Sequence, residues 1–207
     1  MRASAPCMIS VFAWLFVLAL GSTALAAEVG QVERAQGLCY GTVGVETQAL
    51  APGAPIQFEQ SVATEADARL ELIFLDDTTL TLGENAKLRI DRFVYAPRTT
   101  RTSVRLAAVG AFRFVSGARG GDSDVAIVTP VATIGVRGTD FWAGPIDGAY
   151  GVLLLDGAVD VANGAGSATL DEPGEGVNIA GPGAAPGAVT QWPQGKVSRA
   201  LAAVAFQ

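Results

Sequence analysis

The 207-residue sequence contains no histidine. That absence removes Ser/His and Cys/His nucleophile systems, imidazole zinc sites and the commonest general base. Cysteine is almost missing too: Cys7 lies in the N-terminal leader, and Cys39 stands alone in the rest of the chain. A single thiol cannot close an internal disulfide, so Cys39 is expected to be a buried small hydrophobe. Charge is scarce, at 16% of residues, and leans acidic, with 14 Lys and Arg against 20 Asp and Glu. Nucleic acid and anionic lipid both need a basic face, so neither is expected as the main partner. Beyond the leader, no apolar run approaches the ~20 residues of a membrane-spanning helix.

The leader itself is informative. Arg2 precedes an apolar run from Ile9 to Leu20 broken only by Ser10, and Ala24-Leu25-Ala26 then puts small residues where a signal peptidase reads. The expectation is a cleavable signal peptide over residues 1–26 and a periplasmic or secreted mature chain without stable membrane insertion.

Twenty-five glycines and ten prolines divide the chain into short pieces. Residues 28–45 alternate apolar and polar with frequent glycine. In residues 68–95, Leu70, Leu72 and Phe74 share one face, Leu80 and Leu82 resume the alternation, and Leu88 and Ile90 continue it. A spacing of two predicts strands rather than helix. Asp76-Asp77 and Gly83-Glu84-Asn85 punctuate those strands as turns. Residues 96–103 and 118–124 read as loops, with Phe112 and Phe114 on a strand between them. Residues 151–163 read as two strands joined at Asp156-Gly157, a hairpin signal. Near the C-terminus, Val197, Leu201, Val204 and Ala205 recur at helical spacing, with Lys196 and Arg199 expected in solvent. The predicted class is therefore all-β, a β-solenoid-like or β-sandwich body over residues 28–180. A Gly/Pro-rich linker and a short C-terminal helix follow over 181–207.

The polar clusters admit four readings. The stretch Gly135-Val136-Arg137-Gly138-Thr139-Asp140 brackets an arginine with glycines, but it lacks the lysine and spacing of a phosphate loop. Asp122 and Asp124 beside two glycines suit calcium only loosely, without an EF-hand or nonapeptide repeat around them. Asp76, Asp77, Asp140, Asp156 and Asp160 offer carboxylates but no pair with visibly different surroundings. The remaining reading is a strand bend, in which Gly138 permits a positive φ and a buried Arg137 fork ties Asp140 or Asp156 into the fold. No catalytic, cofactor or metal residues are expected.

The same residues carry a family resemblance. Thr129-Pro130, Ala132-Thr133, Val136-Arg137-Gly138-Thr139 and Phe141, followed by Gly157-Ala158-Val159-Asp160-Val161, resemble the FecR domain. The upstream acidic turn is similar to that family's Asp-Gly turn, although Thr78 stands where glycine is usual. The resemblance covers roughly residues 35–165. It implies an all-β domain of short strands. Named family members are inner-membrane regulators of iron uptake: a cytoplasmic segment restrains a sigma factor, and the periplasmic domain receives a signal from an outer-membrane transporter. This sequence shows neither the cytoplasmic segment nor the spanning helix, so the expectation is a free-standing periplasmic FecR-like domain. Its expected task is non-enzymatic binding of another periplasmic or outer-membrane protein. The alternative is a carbohydrate or small-ligand module stacking sugars on Trp142, Trp192 and Tyr150.

Overall fold

The structure, a computed structural model, describes residues 27–96, 101–117 and 122–207. The signal-peptide expectation and most of the glycine loop at 118–121 lie outside these residues. The strands in chain order are β1 Glu28–Gln36, β2 Cys39–Val43, β3 Glu46–Ala49, β4 Pro55–Gln57, β5 Ser61–Thr64, β6 Arg69–Phe74, β7 Thr79–Leu82 and β8 Lys87–Ala96. They continue as β9 Arg101–Val109, β10 Phe112–Val115, β11 Asp122–Val128, β12 Thr133–Ile146, β13 Ala149–Asn163, β14 Gly166–Leu170, β15 Glu175–Ile179 and β16 Thr190–Gln191. Among the described residues one helix, α1, covers Gln194–Ala202. The all-β class and the short C-terminal helix are as the sequence predicts.

All sixteen strands join one continuous sheet that curls over itself. A first wing runs β3-β2-β5-β8-β9-β11, and a second runs β4-β1-β6-β7-β10. The long hairpin β12-β13 connects them. Thr133–Val136 of β12 pair with β11, while Asp140–Ala143 pair with β10. On the far side of β13, residues 159–163 pair with β14 and residues 150–153 with β15. β9 and β11 run parallel, a pairing that requires a crossover, and β10 supplies it from the opposite wing.

The alternation read from the sequence decides which face is inside. Leu70, Leu72, Phe74, Leu80 and Leu82 from the second wing share one apolar cluster with Val62, Leu88, Ile90, Leu106 and Ile127 from the first. Phe74 and Phe93 stack wing to wing with ring centroids 5.4 Å apart. Burial of this shared face is what holds the curl closed.

A second, smaller cluster lies on the back of the second wing. Consecutive residues of a strand point to opposite faces. Phe141 and Leu154 accordingly enter the main core, while their neighbours Trp142 and Leu153 face outward to meet Trp192, Ala200 and Val204 of the C-terminal segment. Trp142 and Trp192 meet edge to face at 6.3 Å. Lys196, expected in solvent, instead lies 3.8 Å over the Trp192 ring with its side chain only 13% exposed. Its ammonium also donates to Asn178 Oδ1 at 2.9 Å. Arg199 does sit in solvent, paired with Asp147 at 2.8 Å. Ala205 is exposed, and Ala200 takes the buried place on that face. Further strap contacts reach β1, where Arg34 lies 3.9 Å over the Phe206 ring and Gln207 N donates to Gln36 Oε1.

Two local expectations need correction. Asp156-Gly157 is no hairpin: β13 passes straight through it. The hairpin turn is the other Asp-Gly pair, Asp147-Gly148, whose φ angles of 51° and 77° put both central residues in the left-handed region. The expected loops at 96–103 and 118–124 are also shorter than read, since β8 extends to Ala96, β9 begins at Arg101 and β11 begins at Asp122.

Candidate functional site: the hairpin bend and the outer face of the first wing

The motif residues converge on the place where the β12-β13 hairpin passes from one wing to the other. Thr129 and Pro130 form the tight connection from β11 into β12. The Thr129 backbone N–H and its hydroxyl both donate to Ala132 O, at 2.9 and 2.8 Å, and the hydroxyl accepts from Ala132 N at 3.1 Å. Thr129 and Ala132 are buried, whereas Pro130 and Thr133 are exposed. Val136 and Phe141 flank the bend and enter the core, as expected from their apolar character.

Between them the ladder loses register, with bulges between Arg137 and Asp140 opposite Ala158 and Asp156. A bulge lets a strand change direction and twist. Gly138 has a φ of 56° and Gly157 a φ of 82°, and the two backbones touch there. A Cβ on Gly157 would collide with the Gly138 carbonyl oxygen, so the close approach as well as the φ requires glycine. Gly135, by contrast, has no positive φ and sits in regular strand opposite Asp160.

The clamp across this bend is Thr139 rather than Arg137. The Thr139 hydroxyl donates to Ala158 O at 2.7 Å and accepts from Arg137 N at 3.2 Å. Its backbone N–H donates to Ser116 Oγ at 3.0 Å, and its carbonyl accepts from Ser116 N at 2.9 Å. The side chain of Arg137 is 77% exposed and pairs with Asp160 at 2.6 Å. It engages neither of the expected carboxylates: Asp156 is exposed, and Asp140 is taken by Arg113. The reason is strand alternation. With Val136 pointing inward, Arg137 must point to the outer face, where Asp160 and Thr169 stand on the next strands.

Arg113 grips Asp140 with two hydrogen bonds, Nε to Oδ1 at 2.9 Å and Nη2 to Oδ2 at 2.6 Å. The bond to Asp140 raises the Arg113 pKa beyond its ordinary value, against partial desolvation. Strand alternation places Arg113 on the face opposite Phe112 and Phe114. The remaining acidic candidates are similarly placed at turns or in pairs. Asp76 accepts from Thr78 N at 3.1 Å in a buried turn, and Asp160 accepts from Thr169 as well as Arg137. The calcium reading rests on a loop whose glycines, and the Asp122 side chain, lie outside what is described.

The aromatic residues proposed for sugar stacking are not available as a platform. Trp142, Trp192 and Tyr150 are 0%, 6% and 9% exposed. Burial also raises the Tyr150 phenol well above its ordinary pKa. Cys39 is buried with its Sγ against Arg69 O at 3.5 Å, and desolvation raises its thiol pKa.

A concavity lies elsewhere, on the outer face of the first wing. It is a groove of about 550 Å³ crossing β5, β8 and β9, bounded by Thr42 of β2 and by Val128 and Pro130. Two cross-strand rows build it. One runs Thr42, Ser61, Arg89, Ala107, Val128, and the other Ala63, Lys87, Val109. Its signal in the sequence was faint: small residues and two cations at the outward positions of strands whose inward positions are large.

Comparison with known proteins gives a family match over part of the chain. Residues 60–160 match the model of the FecR protein family. Over those residues the chain is FecR-like. Its motif bend falls within the matched residues, while the C-terminal strap falls after them. Among curated proteins none matches the chain. Two crystal structures of a proposed anti-sigma factor from Parabacteroides distasonis are similar in fold to 68% of this chain, with TM-scores of 0.55 and 0.52 at 17% identity. The chain spans 63% and 64% of the lengths of those neighbours.

Proposed function

We propose that this chain is a non-enzymatic protein-interaction module of the bacterial cell envelope, with a regulatory or sensory task. The observation that carries the reading is the FecR match over residues 60–160, which take in β5 to β12, most of β13 and the bend joining the two wings. The fold shared with a proposed anti-sigma factor supports a regulatory setting, since such a factor acts by binding another protein. The leader pattern of Arg2, Ile9–Leu20 and Ala24-Leu25-Ala26 supports action in the periplasm on another periplasmic or outer-membrane protein. The motif residues Thr129, Pro130, Ala132, Thr133, Val136, Arg137, Gly138, Thr139, Phe141 and Gly157 serve the shape of the domain in this reading, and contact with a partner falls to the exposed faces and edges. Strand β3 at the end of the first wing, exposed at all four residues, is one such edge.

The test is in-cell crosslinking of the full, tagged chain in its own bacterium, combined with an alkaline-phosphatase fusion that is active only after export. An active fusion and one reproducible envelope protein in the crosslinks are expected. An inactive fusion overturns the location, and the absence of any reproducible partner overturns the interaction module.

A further inference from the structure

We propose that the groove on the outer face of the first wing receives an acidic segment of the partner protein, with apolar side chains between its carboxylates. This rests on the protein-interaction reading above and assigns it a surface.

The argument starts from residue size. Ser61 and Ala63 on β5 and Ala107 on β9 occupy outward positions on either side of β8, so the floor is low there and a backbone can approach it closely. Lys87 and Arg89 stand on β8, the central strand of the groove, two residues apart on one face and thus roughly 7 Å from each other. Arg89 meets Asp91 through Nε at 3.1 Å, with its side chain still 60% exposed, and among the described residues Lys87 has no ion pair. Among the described residues no carboxylate lines the groove itself. Two cations two residues apart, of which only Arg89 has a carboxylate partner and that one through a single contact, set a preference for closely spaced anionic groups.

Charge and apolarity together select the occupant. The chain as a whole carries net charge −6, so a second copy is opposed by overall repulsion. Val109, 49% exposed, and Val128 and Pro130 present apolar surface along the same groove. A sulfated or phosphorylated polysaccharide satisfies the cations but leaves that surface wet. A peptide carrying Glu or Asp beside Leu, Ala or Val satisfies both.

The experiment measures fluorescence anisotropy of a labelled peptide of Glu-Ala-Glu-Leu repeats against the full chain. Its Lys-for-Glu and Ser-for-Leu counterparts serve as controls, and dextran sulfate as competitor. Binding of the Glu/Leu peptide is expected, about tenfold weaker for the Lys87→Glu, Arg89→Glu double variant, from the loss of two partly exposed charge pairs. Raised salt weakens it further, and the Lys peptide does not bind. Both side chains are exposed, so an unchanged melting temperature verifies that the variant is folded. No binding of the Glu/Leu peptide, or equal binding by the double variant, overturns the proposal. Equal binding of the Ser-for-Leu peptide, or displacement by dextran sulfate alone at equal charge, makes the groove a polyanion site and overturns it as well. If the envelope crosslinking identifies a partner that binds the double variant as tightly as the parent chain, the groove proposal fails and the interaction-module reading stands.

Discussion

The outer faces of the two wings belong to one sheet yet end differently. On the second wing, Trp142 and Leu153 face outward and are covered by Trp192, Ala200 and Val204. On the first, Ser61, Ala63, Ala107, Lys87 and Arg89 face outward and stay bare. The difference is written in how each strand alternates. In β12 and β13, Phe141-Trp142 and Leu153-Leu154 are consecutive large apolar residues, the pattern of a strand buried on both faces. In β5, β8 and β9 the large residues Val62, Leu88 and Leu106 alternate with small or cationic ones, the pattern of a one-sided strand. A covered face therefore announces its cover, and a bare groove does not announce its guest.

The largest expected effect comes from removing the cover. Trp192→Ala deletes a nearly buried indole packed on Trp142 and under Lys196, and is expected to cost about 3–5 kcal/mol in chemical denaturation. The matching truncation on the bare face, Val109→Ala, is expected to stay within about 0.5 kcal/mol. Equal losses would mean that the first wing is covered in solution too.

The bend that separates the two faces comes next. Gly157→Ala faces both a positive φ and the Gly138 carbonyl, which is backbone and cannot move aside, and is expected to cost about 3 kcal/mol. Gly138→Ala meets open space and only the φ penalty, about 1–2 kcal/mol. If the two variants melt together, the contact between the strands is looser than drawn. Thr139→Val then tests the clamp. It keeps the shape and leaves Ala158 O and Arg137 N without the hydroxyl, a loss of about 1–3 kcal/mol that Thr139→Ser should largely spare. A neutral Thr139→Val would remove Thr139 from the account of the bend.

These pairs also show how far the sequence could be read. The inward faces of β6, β7 and β8 were legible because a period of two in large apolar residues is a local signal. The two Asp-Gly pairs were not told apart. Asp147-Gly148 closes a hairpin and Asp156-Gly157 lies inside a fifteen-residue strand, and only the pairing partner distinguishes them. The bend was legible as a bend through Gly138, but its fastener was not. A guanidinium with five donors looks like the natural clamp, yet strand parity sends Arg137 to solvent and leaves the short Thr139 hydroxyl at the crossing. Trp142 and Trp192 likewise looked like a platform, because nothing local says that the C-terminal segment carrying Trp192 and α1 will fold back over Trp142, beyond the doubled apolar positions noted above. The two cations were already neighbours on β8, but the groove needed five strands to be brought into one row before Thr42, Ser61, Ala107 and Val128 stood beside Arg89.

The smallest effects sharpen the comparison most, because they put the same kind of side chain on each face. Lys196 belongs to the covered face, where it lies over Trp192, bonds Asn178 and is mostly buried. Arg137 belongs to the bare face, where it reaches Asp160 from a largely solvated position. Distance alone favours Arg137, whose ion pair is 2.6 Å against 3.7 Å from Lys196 to Asp147. Desolvation favours Lys196, since a cation–π contact strengthens as water is excluded and an exposed pair is weakened by solvent and salt. Lys196→Ala is accordingly expected to cost about 1 kcal/mol and to respond little to salt. Arg137→Met is expected to leave stability within about 0.5 kcal/mol, with any loss vanishing in high salt. Both are read from urea midpoints at low and high ionic strength. The opposite ranking would return Arg137 to the role of clamp and make the first wing's outer face part of what holds the domain together.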